Sequence, residues 1–389
     1  MRLVIVSGQP HYQRGGVILG LPPVTREIDC LAAMFDEVRH VALLHNGDAP
    51  ASALPYASGN IRLVPLEPSG GPRLRDKAGV LFRSPSYLKT MAAQLDWADL
   101  VHVRCPSSAS LMAAFLLALW PAKKPSWVKY AGDWKPRGGE HWSFRLQRML
   151  LSRGLPNGVV SVNGSWASQP LHVHSMLNPS LTAEEVRQAI AASSQKGLEL
   201  PVRLLFAGRL NHHKGAIRAL RILAGLADRG IETRLDFAGD GPQRESLLRL
   251  AADAQLTEKV FLHGWLPQQE LHDLYTQAHF VVLPSLGEGW PKVLSEGMAF
   301  GAVPLSSDVS CIPQVFERIG AGVALPALHV DAFVDAVQNF VAHPAVWTQH
   351  RDKGHAAAHL FSFEEYVKRV HALLGLPSVE AALATAAAR

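Results

Sequence analysis

The sequence predicts an α/β protein built from two doubly wound domains, each a parallel sheet covered by helices on both faces. Two observations lead to this prediction. Apolar strand-like runs alternate with helical patterns along most of the 389-residue chain. That alternation is interrupted by one polar, helix-prone stretch at Thr182–Gly197. The length agrees, because it exceeds one ordinary core and suits two domains of about 150–200 residues.

The first series of elements occupies the predicted domain 1–178. Its strand-like runs are Leu3–Val6, Val38–Leu44, Ile61–Pro65, Leu100–Val103, Ser126–Ala131 and Gly158–Val162. Helical patterns at Thr25–Phe35 and Ser108–Leu119 lie between them, and the Pro-, Gly- and Ser-rich stretch Pro50–Lys77 is predicted to be irregular. The apolar run Leu111–Trp120 is far shorter than the roughly 18–20 residues of a membrane span, so we interpret it as a buried core helix.

The second series occupies the predicted domain 179–360. Its strands are expected at Arg203–Ala207, Thr233–Ala238, Val260–His263, Phe280–Pro284 and Ala302–Ser306, and its helices at Ala216–Arg229, Pro242–Ala254, Pro267–Gln277 and Lys292–Phe300. Residues 361–389 are predicted to form a C-terminal helix and tail, the helix starting with Ser362 as cap and Glu365 three residues on. Tandem domains of this Rossmann-like kind direct their strand ends toward a shared crevice, so we expect them to face each other across a cleft.

Composition restricts the class of protein. Hydrophobic residues make up 48% and charged residues 18%, which is typical of a globular chain. The N-terminal residues enter a strand pattern without the basic and apolar regions of a signal peptide. Three scattered cysteines predict neither disulfides nor a metal cluster, so a cytoplasmic location is expected.

The net charge of +5 is unevenly distributed. Residues 1–170 hold 19 Lys and Arg against 11 Asp and Glu, whereas the rest of the chain is acidic. The densest basic segment, Lys129–Arg153, has aromatic and aliphatic residues such as Trp134, Trp142 and Phe144 between its charges. Such a segment is typical of a solvated helix packed on its own domain, and the alternative is contact with an anionic membrane surface. No nucleic-acid recognition module is present.

The loop after the strand Arg203–Ala207 combines glycine with two cations. Gly208 permits close backbone approach, and Arg209 and Lys214 stand at the start of a helix, where free N–H groups and the helix dipole favour an anion. A diphosphate is a natural ligand, since Arg grips two oxygens and Lys supplies a point charge. The alternative is a pair of surface cations without a ligand.

Two further loops carry weaker signals. Gly239-Asp240-Gly241-Pro242 is a glycine-rich turn that lacks the third glycine of a dinucleotide fingerprint. Gly264-Trp265 ends the next strand, where the indole either lies near a base or packs in the core.

The fourth loop, which follows Phe280–Pro284, is the most informative. Glu288 lies in the loop and Glu296 lies eight positions later, one to two turns into the following helix. Carboxylates accept hydrogen bonds from sugar hydroxyls and from a ribose diol. Two glutamates at this spacing are weak evidence by themselves. Their position after a strand and downstream of the Arg/Lys loop strengthens the prediction of a binding site.

Together the four loops resemble the GT-B glycosyltransferases of family 4, the retaining group marked by a Glu-x7-Glu motif, over about Leu204–Pro326. The resemblance implies that Arg209 and Lys214 bind the donor diphosphate, Glu288 contacts the transferred sugar and Glu296 holds the ribose. The intervening backbone would touch phosphate and sugar through Gly289, Trp290, Pro291, Lys292 and Val293. Trp290-Pro291 replaces the usual Phe-Gly, and the proline removes an N–H donor, which puts the position of the donor sugar in question.

The first half matches this family more loosely. Gln9–Gly16 resembles its first glycine-rich loop, which implies that Gly15 and Gly16 approach the diphosphate. The family's His after a central strand is absent, and Asp133 stands in that region, either acting on the acceptor hydroxyl or capping a turn. His102 and Arg104 are further acceptor-side candidates, although a lone His of this kind is more often structural.

The resemblance implies retention by front-face substitution from a nucleotide-diphosphate sugar, with UDP as the default, to a saccharide or lipid-linked saccharide. No Asp-x-Asp sequence occurs, so we expect neither a metal nor another cofactor, and the catalytic candidates are Arg209, Lys214 and Glu288. The competing hypotheses are an inactive nucleotide-sugar-binding partner subunit, a nucleotide-sugar epimerase, a phosphorylase and an NAD-dependent oxidoreductase.

Overall fold

The computed structural model describes residues 1–69, 74–121 and 124–376. They form two compact units, here unit 1 (Met1–Leu177 with the segment from Tyr366) and unit 2 (Asn178–Glu365). The predicted separate region 361–389 is therefore not a unit of its own, because its helix continues into unit 1 from Tyr366. The predicted tail from residue 377 lies outside the described residues.

Unit 1 is built on a sheet with a parallel core. Over the described residues its strands are β1 (Arg2–Arg14), β2 (Val17–Gly20), β3 (Glu37–His45), β4 (Leu54–Pro55), β5 (Ile61–Leu66), β6 (Leu100–Cys105), β7 (Ser126–Tyr130), β8 (Val159–Val162) and β9 (Val173–Ser175). The parallel core has the order β5-β3-β1-β6-β7-β8-β9; β2 is added antiparallel to β1, and β4 antiparallel to β2. The core order runs outward in both directions from β1, as in a doubly wound fold.

The helices of unit 1 cover both faces of that sheet. They are α1 (Pro22–Ala32), α2 (Leu74–Trp97), α3 (Ser108–Leu119) and α4 (Trp142–Ser152), together with most of the C-terminal helix α13 (Phe363–Leu374). Val4 and Val6 share a buried cluster with residues of α2 and α3. Leu3 and Ile5, which point to the opposite face of β1, share one with Ile28 of α1. Burial on both faces explains why the strands of the parallel core are nearly continuous apolar runs.

Three predictions for unit 1 were wrong in detail. The stretch Pro50–Lys77 is not irregular throughout, because it contains β4, β5 and the start of α2. The predicted loop Gln9–Gly16 is mostly an extension of β1. The apolar run Leu111–Trp120 lies in α3 up to Leu119 and is only partly buried, since Leu119 is 80% exposed. No helix in the described part of the chain is both long and apolar enough to cross a membrane.

Unit 2 contains a fully parallel sheet. Among the described residues its strands are β10 (Val202–Ala207), β11 (Thr233–Ala238), β12 (Val260–Gly264), β13 (Phe280–Leu283), β14 (Val303–Ser307) and β15 (Val323–Leu325). The spatial order is β12-β11-β10-β13-β14-β15. In chain order this is 3-2-1-4-5-6, the Rossmann arrangement, whose direction of winding switches between β10 and β13.

Helices connect these strands and flank the sheet. They are α5 (Ala183–Ser193), α6 (Ala216–Asp228), α7 (Arg244–Asp253), α8 (Gln268–Gln277), α9 (Lys292–Ala299), α10 (Ile312–Ile319), α11 (Val330–Ala342) and α12 (Pro344–Ala357). Local sequence patterns predicted α5 to α9 within a few residues, whereas α10, α11, α12 and β15 were not predicted. For α12 the reason is a weak pattern, because only Trp347, Gly354 and Ala357 are buried along its 14 residues, too few for an apolar stripe.

Candidate functional site

The candidate site of unit 2 lies where β10 and β13 end. These two strands are parallel neighbours, so the loops that follow them leave the same edge of the sheet side by side. They are also the two strands at which the winding direction switches. In open α/β sheets, ligands bind beyond the carboxyl ends of the strands at such a point. The Arg209–Lys214 loop follows β10, and the Glu288 loop follows β13.

The loop after β10 is held in a fixed turn that ends at α6. Asn211 Oδ1 accepts a hydrogen bond from the Lys214 N–H at 2.8 Å. Gly215 is the N-cap of α6 with φ of 86°, and no side chain caps this helix. A Cβ at Gly215 would lie 2.1 Å from the Pro284 carbonyl oxygen. Glycine is therefore required here, both for its positive φ and for the close approach of the neighbouring loop.

Lys214 and Glu288 form an ion pair between the two loops. Lys214 Nζ lies 2.7 Å and 2.8 Å from the two carboxylate oxygens of Glu288. The Glu288 side chain is only 8% exposed, whereas that of Lys214 is 31% exposed. A carboxylate so deeply buried requires a partner, and Lys214 supplies it. Arg209 is exposed and makes no side-chain hydrogen bond or ion pair with the other described residues, so its guanidinium is available to a ligand.

Two residues that the sequence analysis missed connect the same loops. His213 is hydrogen-bonded through Nε2 to the Gly287 carbonyl at 2.8 Å, and its own carbonyl accepts from the Leu286 N–H at 2.8 Å. Arg218 of α6 donates from Nε to the Pro284 carbonyl at 2.7 Å and from Nη2 to the His212 carbonyl at 3.0 Å. The signal for Arg218 was available, because a cation stands there on the buried stripe of an amphipathic helix.

Glu296 occupies the second turn of α9. Its Oε2 accepts a hydrogen bond of 2.8 Å from the Tyr275 hydroxyl of α8. Tyr275 is fully buried, and its burial, together with the adjacent Glu296 carboxylate, raises the pKa of the phenol well above its ordinary value. The phenol therefore stays protonated and orients the half-buried carboxylate. Tyr275 was not predicted as a site residue, because only the folded chain brings it next to Glu296.

The residues between the two glutamates serve mainly the core and the helix start. Trp290 is buried and stacks on Phe361 with ring centroids 5.1 Å apart, so its indole is a core side chain. Pro291 is the N-cap of α9, and no side chain caps this helix either. Lys292 begins α9 with its Nζ 5.6 Å from the ring centroid of Phe363. The donor contacts expected through the backbone of Gly289 to Val293 remain predictions.

The glycines after β10, β11 and β12 hold three loop backbones together. Gly208 N–H donates to the Ala238 carbonyl at 2.9 Å, and Gly239 N–H donates to the Gly264 carbonyl at 2.7 Å. A Cβ at Gly239 would stand 2.0 Å from the Gly208 carbonyl oxygen. Trp265 follows Gly264 and is 43% exposed, so the core-packing alternative for this indole is wrong.

The first-half glycines have a local explanation in unit 1. Gly15 and Gly16 are the two-residue turn between β1 and β2, with φ of 56° and 83°. Positive φ at both central positions is what a two-residue hairpin turn of this kind requires. Their predicted approach to a donor diphosphate stays a prediction.

The acceptor-side candidates are mostly engaged in the interior of unit 1. His102 was a wrong choice, because it has no exposed surface, stacks on Trp127 and is hydrogen-bonded through Nδ1 to the Trp127 carbonyl. The Arg104 guanidinium contacts both carboxylate oxygens of buried Glu27, the nearer at 2.6 Å, which leaves it little surface for a ligand. Asp133 Oδ1 accepts a hydrogen bond of 3.0 Å from the Lys135 N–H, which is the contact expected of an aspartate that caps a turn.

The charges of the unit 2 site favour an anion next to a polyol. The N-termini of α6 and α9 add partial positive charge to Arg209 and Lys214. Glu288 lies in the loop after β13, and Glu296 lies in the second turn of α9. Both carboxylates can accept hydrogen bonds from hydroxyl groups. A phosphate ester of a sugar combines these two chemical requirements.

Two Rossmann-like α/β domains in one chain define the GT-B fold. The solved structure of sucrose-phosphate synthase from Thermosynechococcus elongatus matches 96% of this chain and 98% of its own with a TM-score of 0.70 at 17% identity. Anabaena Alr3699/HepE, solved in complex with UDP, matches 96% of this chain and 100% of its own with a TM-score of 0.65 at 13% identity. Both likenesses concern the fold.

Residues 190–358 match the sequence model of the family described as "Glycosyl transferases group 1", so the chain carries a domain of that family. Among its curated relatives is the GDP-mannose:cellobiosyl-diphosphopolyprenol alpha-mannosyltransferase of Xanthomonas oryzae pv. oryzae, which is 30% identical over 196 residues, 48% of this chain and 52% of the relative. The chain spans about half of that relative's length and 38% of that of the alpha-D-kanosaminyltransferase of Streptomyces kanamyceticus.

Proposed function

We propose that this chain is a retaining, metal-independent glycosyltransferase that moves a sugar from a nucleotide-diphosphate sugar to a saccharide or lipid-linked saccharide. The observation that carries the proposal is the Lys214–Glu288 pair, which joins the loops after β10 and β13 at the point where the sheet's winding switches. A group 1 glycosyl transferase domain covers these residues. The proposed setting is the synthesis of a polysaccharide or glycoconjugate.

Each charged group has a role in the proposed reaction. Arg209, Lys214 and the N-termini of α6 and α9 stabilise the negative charge that develops on the departing nucleoside diphosphate. Glu288 accepts hydrogen bonds from the transferred sugar, and Glu296, oriented by Tyr275, accepts from the ribose diol. No enzyme nucleophile is assigned, since the donor phosphate receives the proton of the acceptor hydroxyl as the new glycosidic bond forms.

Lys214 must serve two partners in this scheme. Without ligand it neutralises Glu288, which is more buried than the lysine. When the diphosphate arrives, the ammonium group sits between carboxylate and phosphate, because it carries three N–H donors. The pair thus compensates the buried Glu288 side chain before binding and links the phosphate to the sugar contact afterwards.

The proposed donor is a UDP-sugar, which is supported by the UDP complex of the structurally similar Anabaena protein. The Xanthomonas relative is named for GDP-mannose instead. The exposed Trp265 indole, next to Gly264 at the end of β12, is the proposed wall for the base. A panel of UDP, GDP, ADP and TDP separates these donors.

The proposed acceptor reaches the protein at an anionic membrane surface, at the inner face of the cell membrane. α4 presents exposed Trp142, Phe144 and Met149, and exposed Arg145 and Arg153 lie among them and at its end. Aromatic side chains suit the lipid interface and the cations suit anionic headgroups. Lys129 and Arg148 do not contribute, because they pair with Glu27 and Glu140 inside unit 1. The Xanthomonas relative is named for a diphosphopolyprenol acceptor.

Co-sedimentation with phosphatidylglycerol vesicles tests the membrane contact. We expect binding at low salt that weakens at high salt, and at least a fivefold loss on the double change Trp142→Ala and Arg145→Ala. Leu328→Ala removes a similarly exposed apolar side chain from unit 2 and is expected to change nothing. Equal binding of all variants, or none by the unaltered protein, would remove the membrane from the proposal.

A donor-turnover assay tests the reaction itself. The protein is incubated with each nucleotide sugar, with and without short oligosaccharides or polyprenyl-linked sugars, and in the presence of EDTA. We expect nucleoside diphosphate release that depends on the acceptor and survives EDTA, with the new linkage keeping the donor's anomeric configuration by NMR. Release without acceptor would favour an epimerase, and nucleotide binding without any release would favour an inactive partner subunit.

A further inference from the structure

Arg218 is a buried cation that makes no contact with a carboxylate among the described residues. It lies in the first turn of α6 and is 6% exposed. Its hydrogen bonds all go to main-chain carbonyl oxygens, those of Pro284 at 2.7 Å, His212 at 3.0 Å and His213 at 3.4 Å. Burial and the neighbouring Arg221 lower the pKa of Arg218 from its ordinary value, which indicates that the site stabilises the guanidinium only through these carbonyls.

The three carbonyls belong to two different loops. His212 and His213 lie directly before Lys214 in the loop after β10, and Pro284 lies four residues before Glu288 in the loop after β13. The planar guanidinium offers donors in a fixed fork, so one side chain bonds both loops in one geometry. The packing between the loops is close, since a Cβ at Gly215 would meet both the Pro284 oxygen at 2.1 Å and Arg218 Nη2 at 2.9 Å.

We propose that Arg218 is a positioning residue that fixes the distance between the phosphate-binding loop and the sugar-binding loop, and so sets the Lys214–Glu288 contact. Its part in turnover rests on the proposed function, whereas its part in the ion pair does not. The His213–Gly287 hydrogen bond joins the same two loops on their solvent-exposed side. Without Arg218, each loop keeps its own ligand-binding groups, but the position of one loop relative to the other is no longer fixed.

This role differs from that of a phosphate ligand. A cation that bound the diphosphate directly would weaken nucleotide binding and turnover by the same factor when removed. A residue that sets the loop register weakens turnover more, because the diphosphate still finds the Lys214 loop while the sugar is misplaced relative to Glu288. A misplacement of about 1 Å costs about 100-fold in rate.

A double-mutant cycle in the unliganded protein tests the proposal without reference to activity. Lys214→Met and Glu288→Gln are made singly and together, in the natural background and in Arg218→Met, and urea midpoints are measured. We expect the two changes to be clearly non-additive with Arg218 present and additive within error without it. Arg221→Met, which removes an exposed cation from the same helix, is the matched control and keeps the non-additivity. Unchanged coupling in Arg218→Met overturns the proposal.

Kinetics supply the second arm, with Arg218→Lys as the variant that keeps the charge but cannot bond both loops. We expect its Kd for the nucleoside diphosphate to stay within threefold of the natural protein and its kcat to fall about 100-fold. Equal losses in Kd and kcat would identify a phosphate ligand and contradict the positioning role. If the natural protein binds no nucleotide, the proposed function fails, and the double-mutant cycle still decides the role of Arg218. Arg218→Lys replaces Arg218→Met in the cycle if the methionine variant does not fold.

Discussion

At the scale of single residues, the Lys214–Glu288 pair is the feature on which the proposed chemistry depends, and it also bears on stability. Both residues were predicted as site residues from their loops, and neither their direct contact nor the depth of Glu288 could be read from the sequence. The reason is geometric. The two residues are 74 positions apart, and only the parallel pairing of β10 with β13 brings them together.

Replacing Lys214 tests that pair. We expect Lys214→Ala to lower kcat/KM by about 100- to 1,000-fold, because the protein loses a preorganised positive charge that stabilises the leaving group. It also leaves Glu288 buried without its partner, which we expect to lower the free energy of unfolding by about 1–3 kcal/mol. Steady-state kinetics and urea unfolding measure the two effects.

The matched control for Lys214→Ala is the double variant with Glu288→Gln, which also removes the uncompensated charge. We expect it to regain most of the lost stability and none of the lost activity. A Lys214→Ala protein with a rate within about twofold of the natural one would show that the phosphate assignment is wrong.

A second residue-scale prediction concerns acid. Burial, together with the positive charges of Lys196 and Arg203, lowers the pKa of His279 from 6.5 to about 4. The Nδ1 atom of His279 accepts a hydrogen bond from the Arg203 N–H. The unfolded chain then binds a proton that the folded chain does not bind between pH 6.5 and 4. Stability therefore falls as the pH decreases through this range, by about 3 kcal/mol from this group alone.

Urea unfolding at pH 7, 5.5 and 4.5 measures the effect. His279→Asn keeps an acceptor for the Arg203 N–H without a titrating ring, so its stability should depend less on pH than that of the natural protein. His343→Asn changes an exposed histidine of the same unit and serves as control. Parallel pH curves for all three proteins would contradict the assignment.

At the scale of elements, apolar periodicity predicted many strands and helices of both units, whether or not they lie next to the site. The predicted bounds of β11 and α3 coincide with the structure, because their apolar runs end at polar or turn residues. The C-terminal elements α11 and α12 were missed. α12 buries only Trp347, Gly354 and Ala357, so its local pattern is weak. α11 buries Phe333, Val334, Val337 and Phe340 at regular helical spacing, so the sequence carried a signal for this helix that the prediction did not use.

The start of α6 gives the element-scale prediction. Gly215→Ala introduces a Cβ at a positive φ and at 2.1 Å from the Pro284 carbonyl, so the two loops must separate. We expect the free energy of unfolding to fall by more than about 2 kcal/mol. Gly230→Ala, just after the same helix, has φ of 72° and open space around the added Cβ, so it is expected to cost only about 1 kcal/mol. Equal costs for the two variants would show that the loops do not approach as described.

At the scale of the whole molecule, the alternation of strands and helices was sufficient to predict two Rossmann-like domains, and the GT-B neighbours agree. Long-range charge pairing was beyond the sequence analysis. Glu27 contacts Lys129 and Arg104 at 2.6 Å and the Tyr366 hydroxyl at 2.8 Å, and its partners lie 77 to 339 positions away. Lys129 and Arg104 were interpreted as a surface cation and a ligand candidate because nothing local reveals Glu27.

That buried network also explains the extent of unit 1. The burial of Glu27 and Lys129 requires that each charge be compensated, and the Tyr366 hydroxyl completes the cluster. Tyr366 and Val370 of α13 pack with Trp127 and Met176 in a common core. The C-terminal helix therefore belongs to the first unit although it follows the second in the chain.

The most direct test of the central claim, a nucleotide-diphosphate site on unit 2, is thermal stability with UDP, GDP, ADP and TDP at about 100 times the dissociation constant. We predict that one of these four nucleotides raises the free energy of unfolding by about 2.7 kcal/mol. The effect should be lost in Glu296→Ala and kept in Glu317→Ala, which alters an exposed glutamate of the same unit. Stabilisation by none of the four, or an undiminished effect in Glu296→Ala, would contradict the account.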